Sequence, residues 1–339
     1  YLQLLVEDGV LHAEGEAYEW IADSYPANAV SLRSVADGNF VVVDRSDGRQ
    51  TIIAEVGFSS APLLLYDGAI HMVQSTPYQV ERLDWEGRKA YVTRTHVDYY
   101  TDAIDYTRLK VLESFDGRVA GTGACHHGEV HVVRRVSGYK KIRYYTHENI
   151  GYGPVTLPDA EMHTTSVWWQ LPQAVLEGLF ASKQDALDGF LGAAYALHVV
   201  ARIAVMADAA DLQKAVGSGD GAWSATLDGS GRGRMRAMGE GVTVPDSPDA
   251  LTDPRAFTPT LYLYDNYPGG VGLAEPLWTR QGELLQRAIG LIDGCGCSGG
   301  CPACVGPVLH SEEREASLKQ HARRVLAALS AAEPQGMLS

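Results

Sequence analysis

Residues 295–307 read CGCSGGCPACVGP, the most cysteine-dense run of the chain. Four of the five cysteines, Cys295, Cys297, Cys301 and Cys304, fall inside it with the spacing C-x-C-x3-C-x2-C. Four thiolates about 2.3 Å from one Zn²⁺ make a closed tetrahedron, which is a structural and not a catalytic arrangement. Gly294, Gly296, Gly299 and Gly300 let the backbone turn tightly enough for the sulfurs to converge, and Pro302 stiffens the last pair. Structural zinc can contribute on the order of 10 kcal/mol to folding. Two other readings stay open at this point. The thiols could be free or prone to disulfides, or they could hold an iron–sulfur cluster, although its common spacing begins C-x2-C-x2-C. Cys125 stands alone. An odd cysteine count with no visible secretory signal points to a reducing cytosol, where clustered cysteines usually hold metal.

The flanks of this motif read as helices. An apolar periodicity runs over Leu277–Ile292 before it, and an amphipathic helix over about Glu312–Leu329 after it. Pro172 starts a helix carrying Val175, Leu176, Leu179 and Phe180. Ala186–Met206 is a long, alanine-rich apolar segment, read as a buried helix; no run of 18 consecutive apolar residues occurs, so no transmembrane helix is expected. Residues 217–245 are glycine-rich and read as a mobile loop that includes Arg232, Arg234 and Arg236. A strand is expected at Leu261–Tyr264.

Upstream of Leu171 the signals are β. Strand candidates lie at Phe40–Val43, Thr51–Val56, Ala69–Val73, Tyr78–Leu83, Lys89–Thr95, Leu109–Leu112, Glu129–Val136 and Lys141–Thr146. Asp-Gly turns punctuate them at Asp37-Gly38, Asp47-Gly48, Asp67-Gly68 and Asp116-Gly117. The expected fold is α+β: a β-rich barrel or sandwich-like N-terminal part, then a helical part with a four-cysteine zinc module. Three regions are expected: 1–25 as the end of a winged-helix unit, 26–170 as the β-rich part, and 171–339 as the helical zinc-binding part. Residue 1 is Tyr, and the chain reads as a piece of something longer.

The 339 residues carry a net charge of -14, which argues against wrapping nucleic acid. The charge is uneven, at -8 over residues 1–110, 0 over 111–170 and -6 over 171–339. The neutral middle holds the run Arg134–Tyr145, with five cations, three tyrosines and no acid. Cations contact phosphates and rings stack on bases, so Arg134, Arg135, Tyr139, Lys140, Lys141, Arg143 and Tyr145 are the candidate DNA-binding residues; an ordinary solvated hairpin is the plain alternative. Strand alternation would put Lys141, Arg143 and Tyr145 on one face.

Tyr264–Gly272, YDNYPGGVG, sits between a strand and a helix like a phosphate loop, but no G-x-x-x-x-G-K-[ST] occurs in the chain. A tight turn with close backbone packing is the simpler reading, with Asp265 capping the helix or pairing with an Arg. No G-x-S-x-G elbow occurs either, and no catalytic residue is assigned. Trp168 and Trp169 read as core residues, and His126 and His127 show no metal-ligand spacing.

The runs YPGGVGLAE (267–275) and CGCSGGCPACVGP together resemble the C-terminal domain of the MrfA and SftH branch of superfamily 2 DEAD/DEAH-box DNA helicases, related to Hrq-type helicases. YPANAVSLRS (25–34), DGAIHMVQSTPYQVERLD (67–84), YYT (99–101), GYKKIRYYTHENIGYGPVTLP (138–158) and HTTSVWW (163–169) extend the resemblance over nearly the whole chain. The resemblance implies an ATP-dependent helicase moving 3′ to 5′ on a single DNA strand in DNA repair. Its RecA-like motor, which would use ATP and Mg²⁺, would precede Tyr1. It gives Cys295, Cys297, Cys301 and Cys304 the role of zinc ligands. The implied partners are single-stranded DNA or a 3′-tailed duplex and the motor domains of the parent chain, with no membrane; the implied location is the cytoplasm, at the nucleoid. A zinc-stabilised protein-interaction scaffold that does not touch DNA is the rival reading. A redox-sensing or iron–sulfur enzyme is a second rival. The segment 217–245 departs from the family in being long.

Overall fold

The computed structural model describes residues 2–7, 9–15, 17–21, 38–181, 183–218, 224–226, 259–306 and 318–330. The YPANAVSLRS run and Arg232, Arg234 and Arg236 lie outside these residues.

The chain begins with a short helix, α1 (Leu2–Glu7), and a two-stranded hairpin, β1 (Leu11–Glu14) and β2 (Ala17–Trp20). A five-stranded sheet follows: β3 (Phe40–Asp44), β4 (Thr51–Val56), β5 (Ile70–Val73), β6 (Thr76–Asp84) and β7 (Lys89–Arg94), with a single-turn helix α2 (Ala61–Leu64) between β4 and β5. Its strand order is β4-β3-β7-β6-β5, and only β3 and β7 run parallel. Phe40, Val42, Val80 and Val92 fill its core together with Tyr66 and Leu65.

Two long strands come next, β8 (Tyr99–Ala120) and β9 (Gly123–Arg143), paired antiparallel from Tyr99 against Arg143 to Ala120 against Gly123. The Asp116-Gly117 pair expected as a turn lies inside β8 instead. The register shifts between Ser114 and Asp116, so the local signal there is a bulge within a continuing strand. The break expected between Glu129–Val136 and Lys141–Thr146 is also absent: β9 runs through Ser137-Gly138. Glycine is needed at position 138, because a Cβ there would sit 2.8 Å from the Gly153 carbonyl oxygen.

β10 (Asn149–Pro154) pairs with the end of β9, and β11 (Ala160–Gln170) with its beginning. Helices α3 (Gln173–Leu179) and α4 (Lys183–Val205) lead to β12 (Leu212–Ser218), β13 (Ser224–Thr226) and β14 (Pro259–Asp265). Gly217 and Ser218, expected in the loop, belong to β12. The seven-stranded sheet runs β12-β14-β11-β9-β8-β13, with β10 on β9. It curls until β12 approaches β8 and β13. The inside of the curl holds Leu109, Val130, Val132, Trp168, Ala215, Tyr262 and Tyr264. Its outer face carries Val167, Trp169, Leu261 and Leu263 against the helices. β14 is buried at all seven positions, which is why its sequence alternates Leu with Tyr and not apolar with polar.

Three more helices close the fold: α5 (Ala274–Thr279), α6 (Gln281–Asp293) and α7 (Leu318–Ser330). The protein is thus α+β and strand-rich, with curled sheets and the cysteine cluster near its C-terminal end. The composition change at Leu171 is a change of layer: Cys125, Val167 and Trp169 share one core with Phe190, Leu197, Leu284 and Leu326. By length and composition Asp185–Val205 would suffice to cross a membrane, yet 56% of its apolar window is buried inside the protein. α7 buries Ala322, Val325, Leu326 and Leu329, spaced by three and four. It crosses α4 closely, since a Cβ on Gly192 would come within 2.9 Å of the Ala322 Cβ.

Candidate metal centre and basic strip

The cysteine motif leaves the end of α6 as a knuckle. The Cys295 N–H donates to the Ile292 carbonyl, so the first thiol is set by the last turn of the helix. Gly300 has φ of 116°, a conformation that favours glycine, and turns the chain back for the second pair. Cys304 and Val305 both donate to the Cys301 carbonyl, which closes a tight turn around the last two thiols. All four thiols are free, and their sulfurs lie within 4.8 Å of one another. Measured separations are 3.6 Å for Cys295–Cys297, 3.5 Å for Cys295–Cys301, 3.6 Å for Cys297–Cys304 and 3.8 Å for Cys301–Cys304.

Sulfurs at about 2.3 Å from a central ion form a tetrahedron with edges of about 3.8 Å. The observed edges therefore fit one zinc ion. They leave no room for several irons, so the iron–sulfur reading of the motif is not supported. Backbone hydrogen bonding, from the Ala303 N–H first, pulls the Cys301 thiol well below its ordinary value, while burial pushes Cys304 up. Among the described residues no other group of three or more His, Cys, Asp and Glu brings its ligand atoms this close. Cys125 is not part of it. It is fully buried in the helix-facing core, and burial raises its thiol pKa far above the ordinary value.

The Tyr-Pro-Gly-Gly corner between β14 and α5 holds an anion of its own. The Asp265 side chain is wholly buried, and its Oδ2 accepts N–H bonds from Val271 at 2.8 Å, Gly272 at 3.0 Å and Leu273 at 3.1 Å. The Thr165 hydroxyl donates to the same oxygen at 3.2 Å. Burial raises the Asp265 pKa and these bonds oppose it. Gly270 is required here, because a Cβ would lie 2.6 Å from Thr165 Oγ1. The corner is a tight turn capped by a carboxylate, and the cradle a phosphate would use is filled.

The basic strip spans the end of β9 and the turn beyond it. Much of its charge is matched within the fold. Arg135 makes a bidentate pair with Asp159, both bonds at 2.6 Å, and this holds the Asp159 carboxyl below its ordinary range. Arg134 faces Asp105 at 3.6 Å with only 12% of its side chain exposed. Arg143 lies 3.4 Å from Asp98 and 3.3 Å from Glu148. Lys140 is directly opposite Asp102 across the hairpin. Lys141 sits over the Tyr99 ring at 5.4 Å. Tyr139, expected among the DNA contacts, is buried against Tyr66, with ring centroids 5.1 Å apart. Tyr145 is not in a strand with Lys141 and Arg143; it has φ of 67° in the turn after β9 and is 97% exposed. The sequence reading missed Tyr152 and Ile150 of β10, both exposed beside this end of β9. The signal available for them was the aromatic in NIGYGP, nine residues past the last cation considered.

His126 stacks on Trp168 at 5.6 Å, and His127 lies between Phe115 at 5.4 Å and Trp278 at 6.3 Å. Burial lowers the pKa of both histidines. Trp168 and Trp169 are core residues on opposite faces of the sheet.

Residues 193–305 match the family model of the MrfA Zn-binding domain. The chain is 36% identical over 306 residues to the uncharacterized ATP-dependent helicase YprA of Bacillus subtilis, covering 90% of this chain and 36% of that protein. It is 24% identical over 325 residues to the ATP-dependent helicase HRQ1 of Saccharomyces cerevisiae, covering 94% of this chain and 27% of that one. The crystal structure of the DUF1998 helicase MrfA bound to DNA matches 97% of this chain and 39% of that chain, at 33% identity and a TM-score of 0.58. The chain therefore spans only about a third of the length of the relatives it matches. The knuckle, the sulfur geometry and these likenesses converge on one assignment: residues 193–305 carry an MrfA-type zinc-binding domain.

Proposed function

We propose that this chain is the non-motor part of an ATP-dependent DNA helicase that moves 3′ to 5′ in DNA repair. In this reading Cys295, Cys297, Cys301 and Cys304 hold one structural zinc. ATP and Mg²⁺ belong to RecA-like motor domains of the parent protein, and the present chain supplies no catalytic group. It guides single-stranded DNA, or the tail of a 3′-tailed duplex, to that motor in the cytoplasm, at the nucleoid. The regions expected from sequence, 1–25 as the end of a winged helix, 26–170 and 171–339, would be its working parts. The observation that carries this reading is the 33% identity over 97% of the chain to a helicase crystallised on DNA.

Within the strip, Lys140, Lys141, Arg143 and Tyr145 are the proposed DNA contacts, with Tyr152 added. Arg134 and Arg135 would position the strand pair through Asp105 and Asp159 rather than reach phosphates. A second reading has an observation in its favour. Three of the five cations are matched by carboxylates, which suits a protein-interaction scaffold that does not touch DNA. One experiment separates the two. Lys140→Ala, Lys141→Ala and Arg143→Ala together, in the intact helicase, should weaken single-strand binding and flatten its salt dependence by up to about two units of log–log slope. Unchanged affinity across salt would favour the scaffold.

A further inference from the structure

A lysine outside the matched family segment reaches back to the cysteine knuckle. The Lys319 Nζ donates to the Cys295 carbonyl at 2.5 Å and to the Cys297 carbonyl at 2.9 Å. Its own N–H donates to the Gly299 carbonyl at 3.1 Å. Three carbonyls of the ligand loop are thus held by one residue, 24 and 22 positions downstream of the two cysteines. The fit is close, since a Cβ on Gly300 would lie 3.3 Å from the Lys319 N and 2.7 Å from Val305 Cγ2. Lys319 is the second residue of α7, and the family match ends at Val305.

Two physical effects follow from this placement. A zinc ion with four thiolates carries a net charge of about -2, and the half-buried ammonium of Lys319 offsets it locally. Fixing the carbonyls of Cys295 and Cys297 also fixes the peptide planes that aim the first two sulfurs. Groups that hold metal ligands in this way commonly change metal affinity about 10- to 100-fold when removed. Arg323 offers an internal comparison. It ties the same helix to Asp293 at the end of α6, at 2.7 Å, and touches no carbonyl of the knuckle.

We propose that Lys319 is a positioning residue for the zinc site, so that α7 and the bound ion stabilise one another. The proposal rests on the reading of the four cysteines as zinc ligands.

The test uses the full chain as purified, with zinc counted by elemental analysis and its release to a chromogenic chelator followed in time. Lys319→Ala and Lys319→Gln should release zinc at least about 10-fold faster than the wild type, while Lys319→Arg keeps most of the retention. Arg323→Ala should loosen α7 but leave release within about 2-fold. Equal release rates in wild type and Lys319→Ala would overturn the proposal and leave the zinc reading standing. So would a rate for Arg323→Ala as fast as for Lys319→Ala, because helix docking in general would then explain the effect. A wild-type protein without zinc would overturn the ligand reading itself, and this proposal with it. Should Lys319→Ala fail to fold, Lys319→Gln against Lys319→Arg gives the same comparison.

Discussion

Asp265→Ala tests whether the corner before α5 is held by its own carboxylate. The substitution removes an acceptor of three backbone N–H bonds at 2.8, 3.0 and 3.1 Å and of the Thr165 hydroxyl. Cutting a bond to a charged group costs about 1.5–3 kcal/mol, which gives an upper range of about 5–9 kcal/mol for the three amides. Two effects reduce it. Val271 and Gly272 are exposed, so water can reach their amides once the carboxylate has gone. Removing a buried carboxyl also relieves its desolvation. A net loss of about 3 kcal/mol is expected for Ala. Asp265→Asn keeps one oxygen acceptor without the charge and should lose only about 1–2 kcal/mol. Urea denaturation of the zinc-loaded chain at neutral pH, followed by tryptophan fluorescence, reads both. The reasoning fails if neither variant shifts the midpoint, or if Asn is as damaging as Ala, since acceptor geometry would then not be what Asp265 provides.

Cys301→Ala leaves three thiols, and the chain should lose most of its zinc and several of the roughly 10 kcal/mol a structural site can supply; a variant with full metal content and unchanged melting would refute a structural zinc. Gly192→Leu forces a side chain into the 2.9 Å approach to Ala322 and should destabilise by about 2 kcal/mol or more, seen as a lower melting temperature with α7 amides exchanging faster. Asp159→Asn tests a carboxyl whose folded pKa is held below its unfolded value by Arg135. Such a group adds stability above the unfolded pKa and loses it as pH falls through the folded one. The variant should therefore be slightly less stable than wild type at pH 7, by under about 1 kcal/mol because Arg135 is partly exposed, and equal to it at strongly acidic pH. A gap that widens on acidification would contradict that sign.

What could be read from sequence was local. The cysteine spacing is a property of ten consecutive residues, and the apolar period of α7 is a property of one helix face, so both were legible. The charge of the basic strip was not. Its run contains no acid, yet Asp105, Asp159 and Asp98 come to it across strand pairs and turns, at sequence distances no window captures. The Asp116-Gly117 pair carried turn chemistry, but pairing of β8 with β9 on both sides of it absorbed the extra residue as a bulge. Tyr139 looked like a base-stacking ring because its neighbours are cations; whether its side of the strand faced Tyr66 was settled by the five-stranded sheet and not by those neighbours. Lys319 was invisible for the same reason, since nothing in α7 marks which of its residues meets the knuckle.

The β8–β9 ribbon has a mechanical consequence. At one end Ala103 and Tyr139 belong to the core of the five-stranded sheet, and at the other Ala120 and Cys125 belong to the helical core. Both cores are therefore rooted in the same two strands, a beam of about 20 paired positions whose hydrogen bonds lie across its length. Force pulling the two cores apart along the ribbon would be carried by continuous backbone, while bending would concentrate at the three register shifts, Ile104/Asp105, Val111/Glu113 and Ser114/Asp116. The same two strands thus link the Tyr145 end of the molecule to the helical core that carries the cysteine knuckle.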